Sequence, residues 1–311
     1  MGTDSATLPE GPDFLKRAER DAASKWVDPP SVDSSPLPPV TEGDFFRETR
    51  AALEEAPVVA APTPKSEVLS TEERRTIVSQ FRSMPINLSL QSRLVCLTDR
   101  ESPTAEALRL LGVRLRDLRR VRPLKRILIT STIPQEGKST IASNLACTLS
   151  HALQERTLLI EGDLRRPSLS RLFGIQPDSG ISECIRDQRT PFQTIVHLAE
   201  AGIWIWPAGT APSNPLELLQ SPRLPALMDQ LASYFDWIVI DSPPVLPLAD
   251  TSVWMRLADG ILLVTRQGTT EKKQLQKGLE ALDPKKMLGA LLNGALASAY
   301  SGYYYRSPSH S

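Results

Sequence analysis

Residues 125–140 read KRILITSTIPQEGKST, and this stretch decides the fold. Residues 126–130 form a short apolar, β-branched run, and residues 131–136 a loop. Gly137-Lys138-Ser139-Thr140 then opens an apolar segment of helix length. Strand, loop and helix start are the context in which G-K-[ST] ends a P-loop. Such a loop turns backbone N–H groups inward and holds phosphate oxygens at a helix N-terminus. The pattern places Pro134, Glu136 and Gly137 around a nucleotide, with Gly137 letting the backbone come close. Lys138 is expected to reach the β- and γ-phosphates, Ser139 to put its hydroxyl on Mg²⁺, and Thr140 to meet the α-phosphate. Thr132 stands where G-x-x-x-x-G-K-[ST] has its first glycine, so a strict pattern search passes this loop by.

Two further strand ends carry carboxylates. LLIEGDLRRP (158–167) runs through apolar residues into Glu161, Gly162 and Asp163. Acids at i and i+2 share one side of a strand, where they could hold Mg²⁺ or orient a hydroxyl nucleophile. DWIVIDSPP (236–244) ends in Asp241, the Walker B position, which would complete the Mg²⁺ shell. Each signal alone is common. Three phosphate or metal elements in order along one chain favour an ATPase-type site, with ATP and Mg²⁺ as the expected cofactors.

Around these elements the chain alternates apolar runs (126–130, 157–160, 203–206, 237–240, 260–265, 287–292) with helix-length segments (139–153, 216–233, 272–282). Apolar runs of this kind suit strands buried on both faces. The expected fold is α/β: a mainly parallel central sheet flanked by helices, with ligands at the carboxyl ends of its strands. Residues 1–90 read as a largely disordered, proline-rich arm. Ten of the first 64 residues are proline, which breaks both periodicities and leaves little apolar surface to offset chain entropy. Helical islands are expected at 42–55 and at 71–84, the second with capping-box spacing at Ser70 and Glu73. Residues 91–293 are read as the folded domain and 294–311 as a flexible tail.

Composition narrows the function. The 311 residues carry 36 basic and 36 acidic side chains, which argues against a nucleic-acid binder. Cys96, Cys147 and Cys184 are widely spaced, so neither a disulfide framework nor a cysteine zinc site is expected, and a reducing cytosol fits. No apolar run is long enough to span a bilayer, and the N-terminus lacks a signal-peptide pattern.

The motifs resemble the bacterial tyrosine kinases, the cytoplasmic tyrosine autokinases of capsular and exopolysaccharide systems. The resemblance lies in SPTAEALRLL, STIPQEGKSTIASNLA, LLIEGDLRRPSLSRLFG, PAGTAPSNPLELLQS, DWIVIDSPPVLPLAD, ADGILLVTRQGTT and LGALLN. It implies a P-loop NTPase fold related to MinD-like ATPases and ATP-dependent phosphorylation of C-terminal tyrosines between neighbouring subunits of a ring. Lys138, Ser139 and Thr140 match Walker A, Asp163 the second Walker A-prime acid and Asp241 the Walker B acid. Glu161 replaces the usual first Walker A-prime aspartate, displacing that carboxylate by about 1.5 Å. Either Glu161 or Asp163 is then the group that helps the phenol lose its proton. Asn293 matches a position that contacts adenine in related ATPases. The resemblance also implies a separate membrane co-polymerase or chain-length regulator as partner, a tyrosine phosphatase, and a cytoplasmic protein held at the inner face of the membrane through that partner.

Four of the five tyrosines, Tyr300, Tyr303, Tyr304 and Tyr305, cluster in the tail and are the expected phosphoacceptors. The ten residues from Asn293 to Tyr303 span about 33 Å when extended, enough to reach a neighbour. In 105–118, Glu106 and Arg109 match the family's E-x-x-R-x-x-R oligomerisation helix, while Gly112 replaces the second arginine. The basic run from Arg109 to Arg126 is read as a solvated face or, more sharply, as a face toward anionic lipid or an acidic partner. Three other classes compete. A MinD/ParA-type ATPase would carry a signature lysine where Ile133 stands, and an iron–sulfur carrier would need a C-x-x-C pair. A nucleotide-gated, non-catalytic scaffold of polysaccharide export remains the third reading.

Overall fold

Strand side chains alternate, so a run that is apolar throughout must be covered on both sides. The computed structural model describes residues 69–89, 91–246 and 249–295. Its eight strands are β1 (Arg82–Ser83), β2 (Arg126–Ser131), β3 (Thr157–Glu161), β4 (Val196–Leu198), β5 (Ile203–Trp206), β6 (Trp237–Asp241), β7 (Gly260–Arg266) and β8 (Met287–Asn293). They form one sheet in the order β1-β4-β5-β3-β6-β2-β7-β8. Every neighbouring pair is parallel except β4 with β5.

The eleven described α-helices are α1 (Thr71–Val78), α2 (Val95–Thr98), α3 (Pro103–Val121), α4 (Lys138–Leu153), α5 (Leu169–Phe173), α6 (Ile181–Arg186), α7 (Pro191–Thr194), α8 (Pro215–Leu219), α9 (Arg223–Tyr234), α10 (Asp250–Leu257) and α11 (Lys272–Glu280). One sheet face presents Leu128, Leu158, Ile160, Ile238 and Ile240 to α9 and α10. The other presents Ile127, Ile129, Leu159 and Val239 to α4, with α3 packed beyond it. The fold class is the one expected, an α/β P-loop NTPase. The six apolar runs are six of the strands, and β1 and β4 are additions too short to show periodicity. The expected helix at 216–233 is two helices, broken at Ser221-Pro222, because the residue before a proline is pushed out of helical geometry.

The folded part begins earlier than the boundary expected at residue 91. The second helical island is α1, capped by Ser70 with Glu73 reaching back to the Ser70 N–H at 2.7 Å. Val78 and Phe81 bury themselves in the core, and β1 pairs with β4. Apolar contact thus overrides the polar composition of this stretch. The island at 42–55 lies outside the described residues.

The basic run is half-buried to exposed, with Arg114 and Arg120 open to solvent, and its C-terminal half is tied to the domain. Arg119 stacks over Trp237 and donates to Glu155, Arg122 donates to the Asp259 carbonyl, Lys125 to the Ala232 carbonyl, and Arg126 to Asp229. Gly112 is buried on the inner face of α3. A Cβ there would sit 3.5 Å from Leu153 and 3.6 Å from Leu149, an ordinary contact distance.

Gly112→Ala is therefore expected to stabilise the protein by about 0.5 to 1 kcal/mol through helix propensity. Gly162→Ala, whose Cβ would lie 2.8 Å from the Asp241 carbonyl oxygen, should destabilise it. Urea denaturation midpoints of both variants check the opposite signs.

Candidate active site

Strand register builds the site. In the parallel pairing Glu161 lies opposite Asp241, and Asp241 opposite Ile129. β3, β6 and β2 therefore end side by side, with the P-loop leaving β2 above two carboxylates. Gly137 caps α4 with φ +94°, a left-handed conformation that suits glycine, and supplies no capping side chain. The first bond closing this turn runs from Ile141 N to Gly137 O. The N–H groups of Lys138, Ser139 and Thr140 so lack an acceptor within the helix and form an anion-binding terminus.

Other side chains brace this loop. The buried Glu136 carboxylate accepts from Ile133 N at 2.8 Å and from the Thr270 hydroxyl. Its carbonyl accepts from Asn293 Nδ2 at 2.9 Å, which brings Asn293 from the end of β8 to the loop's edge. Pro134 is exposed at the crest and has no N–H to offer. Thr132, in place of the first glycine, is fully buried against α11, where a Cβ at Gly278 would lie 2.9 Å from its hydroxyl oxygen.

The acids converge on one ammonium. Lys138 Nζ lies 3.2 Å from Asp163 Oδ2, and Asp163 Oδ1 accepts from Arg166 N. Glu161 is fully buried; its Oε2 accepts from Ser168 N at 3.0 Å and Leu169 N at 2.7 Å. Its Oε1 and both Asp241 oxygens are buried with no hydrogen-bond partner among the described residues. Burial, followed by the Asp241 charge, pushes the Glu161 carboxyl up to about 8. Burial likewise raises Asp241 to about 6, against the pull of Lys138. For Lys138 burial acts downward, but Asp241 and Asp163 outweigh it and hold the ammonium above its ordinary value.

Some bracing residues were beyond sequence reading. Arg165 grips the buried Asp250 through two hydrogen bonds of 2.7 and 3.1 Å. Trp254 Nε1 donates to the Gly162 carbonyl at 3.0 Å, and Gly162 N donates to the Asp241 carbonyl at 2.7 Å. The arginine pair is visible in the sequence, but nothing local marks a partner 85 residues away. The four tail tyrosines lie outside the described residues.

A phosphate-binding helix start over strand-end carboxylates on a mostly parallel sheet defines a P-loop nucleotide-binding protein. No family model matches the chain. Tyrosine-protein kinase YwqD of Bacillus subtilis is 33% identical over 218 residues, covering 70% of this chain and 92% of the relative. The putative tyrosine-protein kinase CapB of Staphylococcus aureus is 33% identical over 184 residues, 58% of this chain and 80% of its own. Against tyrosine-protein kinase Etk of Escherichia coli, 28% identical over 249 residues, the match spans 79% of this chain but only 34% of the relative. Among solved structures, the BceF tyrosine kinase domain superposes with a TM-score of 0.58 at 28% identity, covering 79% of this chain and 96% of that one. The chimerical protein CapA2B2 superposes at 0.61 and 25% identity, covering 72% and 98%. The chain belongs to the bacterial tyrosine-protein kinases.

Glu161 has a pH signature. Its folded carboxyl keeps a proton that the unfolded one, with an ordinary value of 4.5, has lost. Its contribution to stability is full below that value and drains away as pH rises toward 8. Between pH 6 and pH 8 the loss is on the order of 2 kcal/mol. Asp241 acts in a lower window, between its ordinary 3.8 and about 6. Glu161→Gln keeps an acceptor for Ser168 and Leu169 and should flatten the pH 6 to 8 slope in denaturation curves. Equal slopes would refute the buried proton.

Proposed function

We propose that the chain is an ATP-dependent protein-tyrosine autokinase whose acceptors are Tyr300, Tyr303, Tyr304 and Tyr305. One observation carries the reading. Lys138, Asp163 and Asp241 meet at adjacent strand ends beneath the free N–H groups of α4. The residues fit Mg²⁺ and a nucleotide. Asp241 offers two buried, unpartnered oxygens, and the donor set with Ser139 is all oxygen, as a hard cation requires. Among the described residues no three His, Cys, Asp or Glu side chains are grouped to hold a metal, so phosphate oxygens would complete the shell. A bound magnesium ion would supply charge neutralisation on the phosphates.

The chain's own groups do the rest. The α4 N–H groups hold the phosphates. Lys138 exchanges its Asp163 partner for a phosphate oxygen, which releases Asp163 to accept the tyrosine hydroxyl. The phenolic oxygen bonds the γ-phosphorus as the bond to ADP breaks, and the phenolic proton passes to the carboxylate. Glu161, protonated near neutral pH and occupied with the start of α5, acts here as a positioning residue, which assigns the proton-accepting role to Asp163. Asn293 beside Gly137 is suited to the nucleotide's rim.

Attachment to a membrane co-polymerase, self-association in a ring, reversal by a tyrosine phosphatase, and control of exopolysaccharide or capsule synthesis and export follow from the family resemblance. No described helix is long and apolar enough to cross a membrane, so this reading places the chain at the inner face of the membrane through that partner. The burial of Glu161 favours one rival, a nucleotide-gated scaffold that binds ATP without transferring phosphate.

Intact-mass spectrometry after incubation with Mg-ATP separates the two. Phosphate is expected on the tail in the natural chain. Lys138→Met should lower its rate at least about 100-fold by removing a transition-state cation. ATP binding with no phosphate under any condition would favour the scaffold.

A further inference from the structure

A second site lies at the opposite end of the sheet. A cavity of about 500 Å³ opens beneath α1, lined by Arg75, Arg156, Asp236, Phe81, His197 and Trp204 among others. Arg156 and Asp236 immediately precede β3 and β6, the strands that end in Glu161 and Asp241. Five residues of strand, about 16 Å, separate the cavity from the active-site acids.

Its chemistry is cationic and aromatic. Asp236 takes two hydrogen bonds from the Arg156 guanidinium, at 2.9 and 2.8 Å, and a third from the Arg156 backbone N–H at 3.0 Å, and lies 3.8 Å from Arg74. One carboxylate so faces two guanidinium groups. Arg156 Nη1 remains buried with no acceptor among the described residues. Arg75 stands at the rim, largely exposed, with Glu72 3.9 Å away in a weak surface pair. The His197 ring stacks on Trp204 with centroids 4.4 Å apart. The indole N–H is already given to the Val78 carbonyl, so Trp204 offers its ring alone. Guanidinium groups recognise phosphate, and aromatic walls receive a planar ring.

We propose that this cavity binds a phosphotyrosine side chain, the aryl ring against Trp204 and the phosphate toward Arg75 and Arg156. The source of that group rests on the tail-phosphorylation reading above. A chain's own tail is badly placed to supply it. Five strand spacings from β8 to β5 and the length of a strand put the cavity about 29 Å from Asn293 in a straight line through the domain. The eleven residues from Asn293 to Tyr304 span about 36 Å when extended, short of the roughly 40 Å path along β8 and then across the sheet surface. The phosphorylated tail of a second copy therefore fits the site, and the cavity reads the product of the other end of the sheet.

Calorimetric titration of the full chain tests the site with synthetic peptides of residues 297–309, with and without phosphate on Tyr304. Using synthetic phosphopeptide separates the two proposals, because binding is then measured whether or not the chain phosphorylates itself. The phosphopeptide should bind at least tenfold more tightly. Arg75→Glu, a change at an exposed position, should weaken it at least fivefold, and so should Arg156→Lys. Equal affinity for the two peptides, or phosphopeptide binding untouched by both variants, overturns the assignment. So does AMP displacing the phosphopeptide better than free phosphotyrosine does, since the cavity would then be a nucleotide site.

Discussion

Three carboxylates are confined around one ammonium, and the site's other features answer to that confinement. Glu161, Asp163 and Asp241 are all nearly or wholly buried, and Lys138 is the cation they share. Isolated charges in such surroundings would cost many kcal/mol, so the arrangement persists through protonation, pairing and backbone N–H donors. Glu161 shows two of these: a retained proton and two N–H groups at the start of α5. Asp163 shows pairing. Asp241 has the Lys138 charge nearby but no hydrogen-bond partner among the described residues, and its two unpartnered oxygens make it the natural meeting point for an incoming cation.

That crowding requires the strand ends to be fixed in place. Gly162 lets the A-prime turn lie against the β6 backbone, and Trp254 and the Arg165–Asp250 pair fasten the turn to α10. Precision at the acids thus comes from a helix that contributes no residue to phosphate binding. The loop side is held in the same way by Glu136, Thr270 and Asn293.

The fold was largely legible because buried parallel strands leave a local signature. The runs before Thr132, Gly162 and Ser242 are apolar without alternation, and each became a central strand. β1 and β4 left none: two and three residues carry no period. The first 20 or so folded residues were misread as arm because their composition is polar, while two apolar side chains, Val78 and Phe81, tie them to the core. At the site, motif spacing brought the lysine and the acids together. It did not reveal what Glu161 does with its carboxylate, since that depends on Ser168 and Leu169 folding back over it. Pro134 and Glu136 were assigned to the nucleotide, whereas the Glu136 side chain turns inward as a brace. Motif spacing showed that Gly112 replaces an arginine but not that it lies on the buried side of α3, since a motif register says nothing about which side of a helix is covered.

The buried Thr132 against Gly278 amounts to a transfer of bulk. A residue type that usually provides space in this loop has been exchanged for one that fills it, and the space reappears on α11. The two positions share one volume, so the side chain tolerated at either is set by the other. A side chain at 278 would press on the loop that cradles phosphate. Conversely, a shift of α11 away from the sheet would relax the loop, giving the outer helix mechanical leverage over nucleotide affinity without touching the nucleotide.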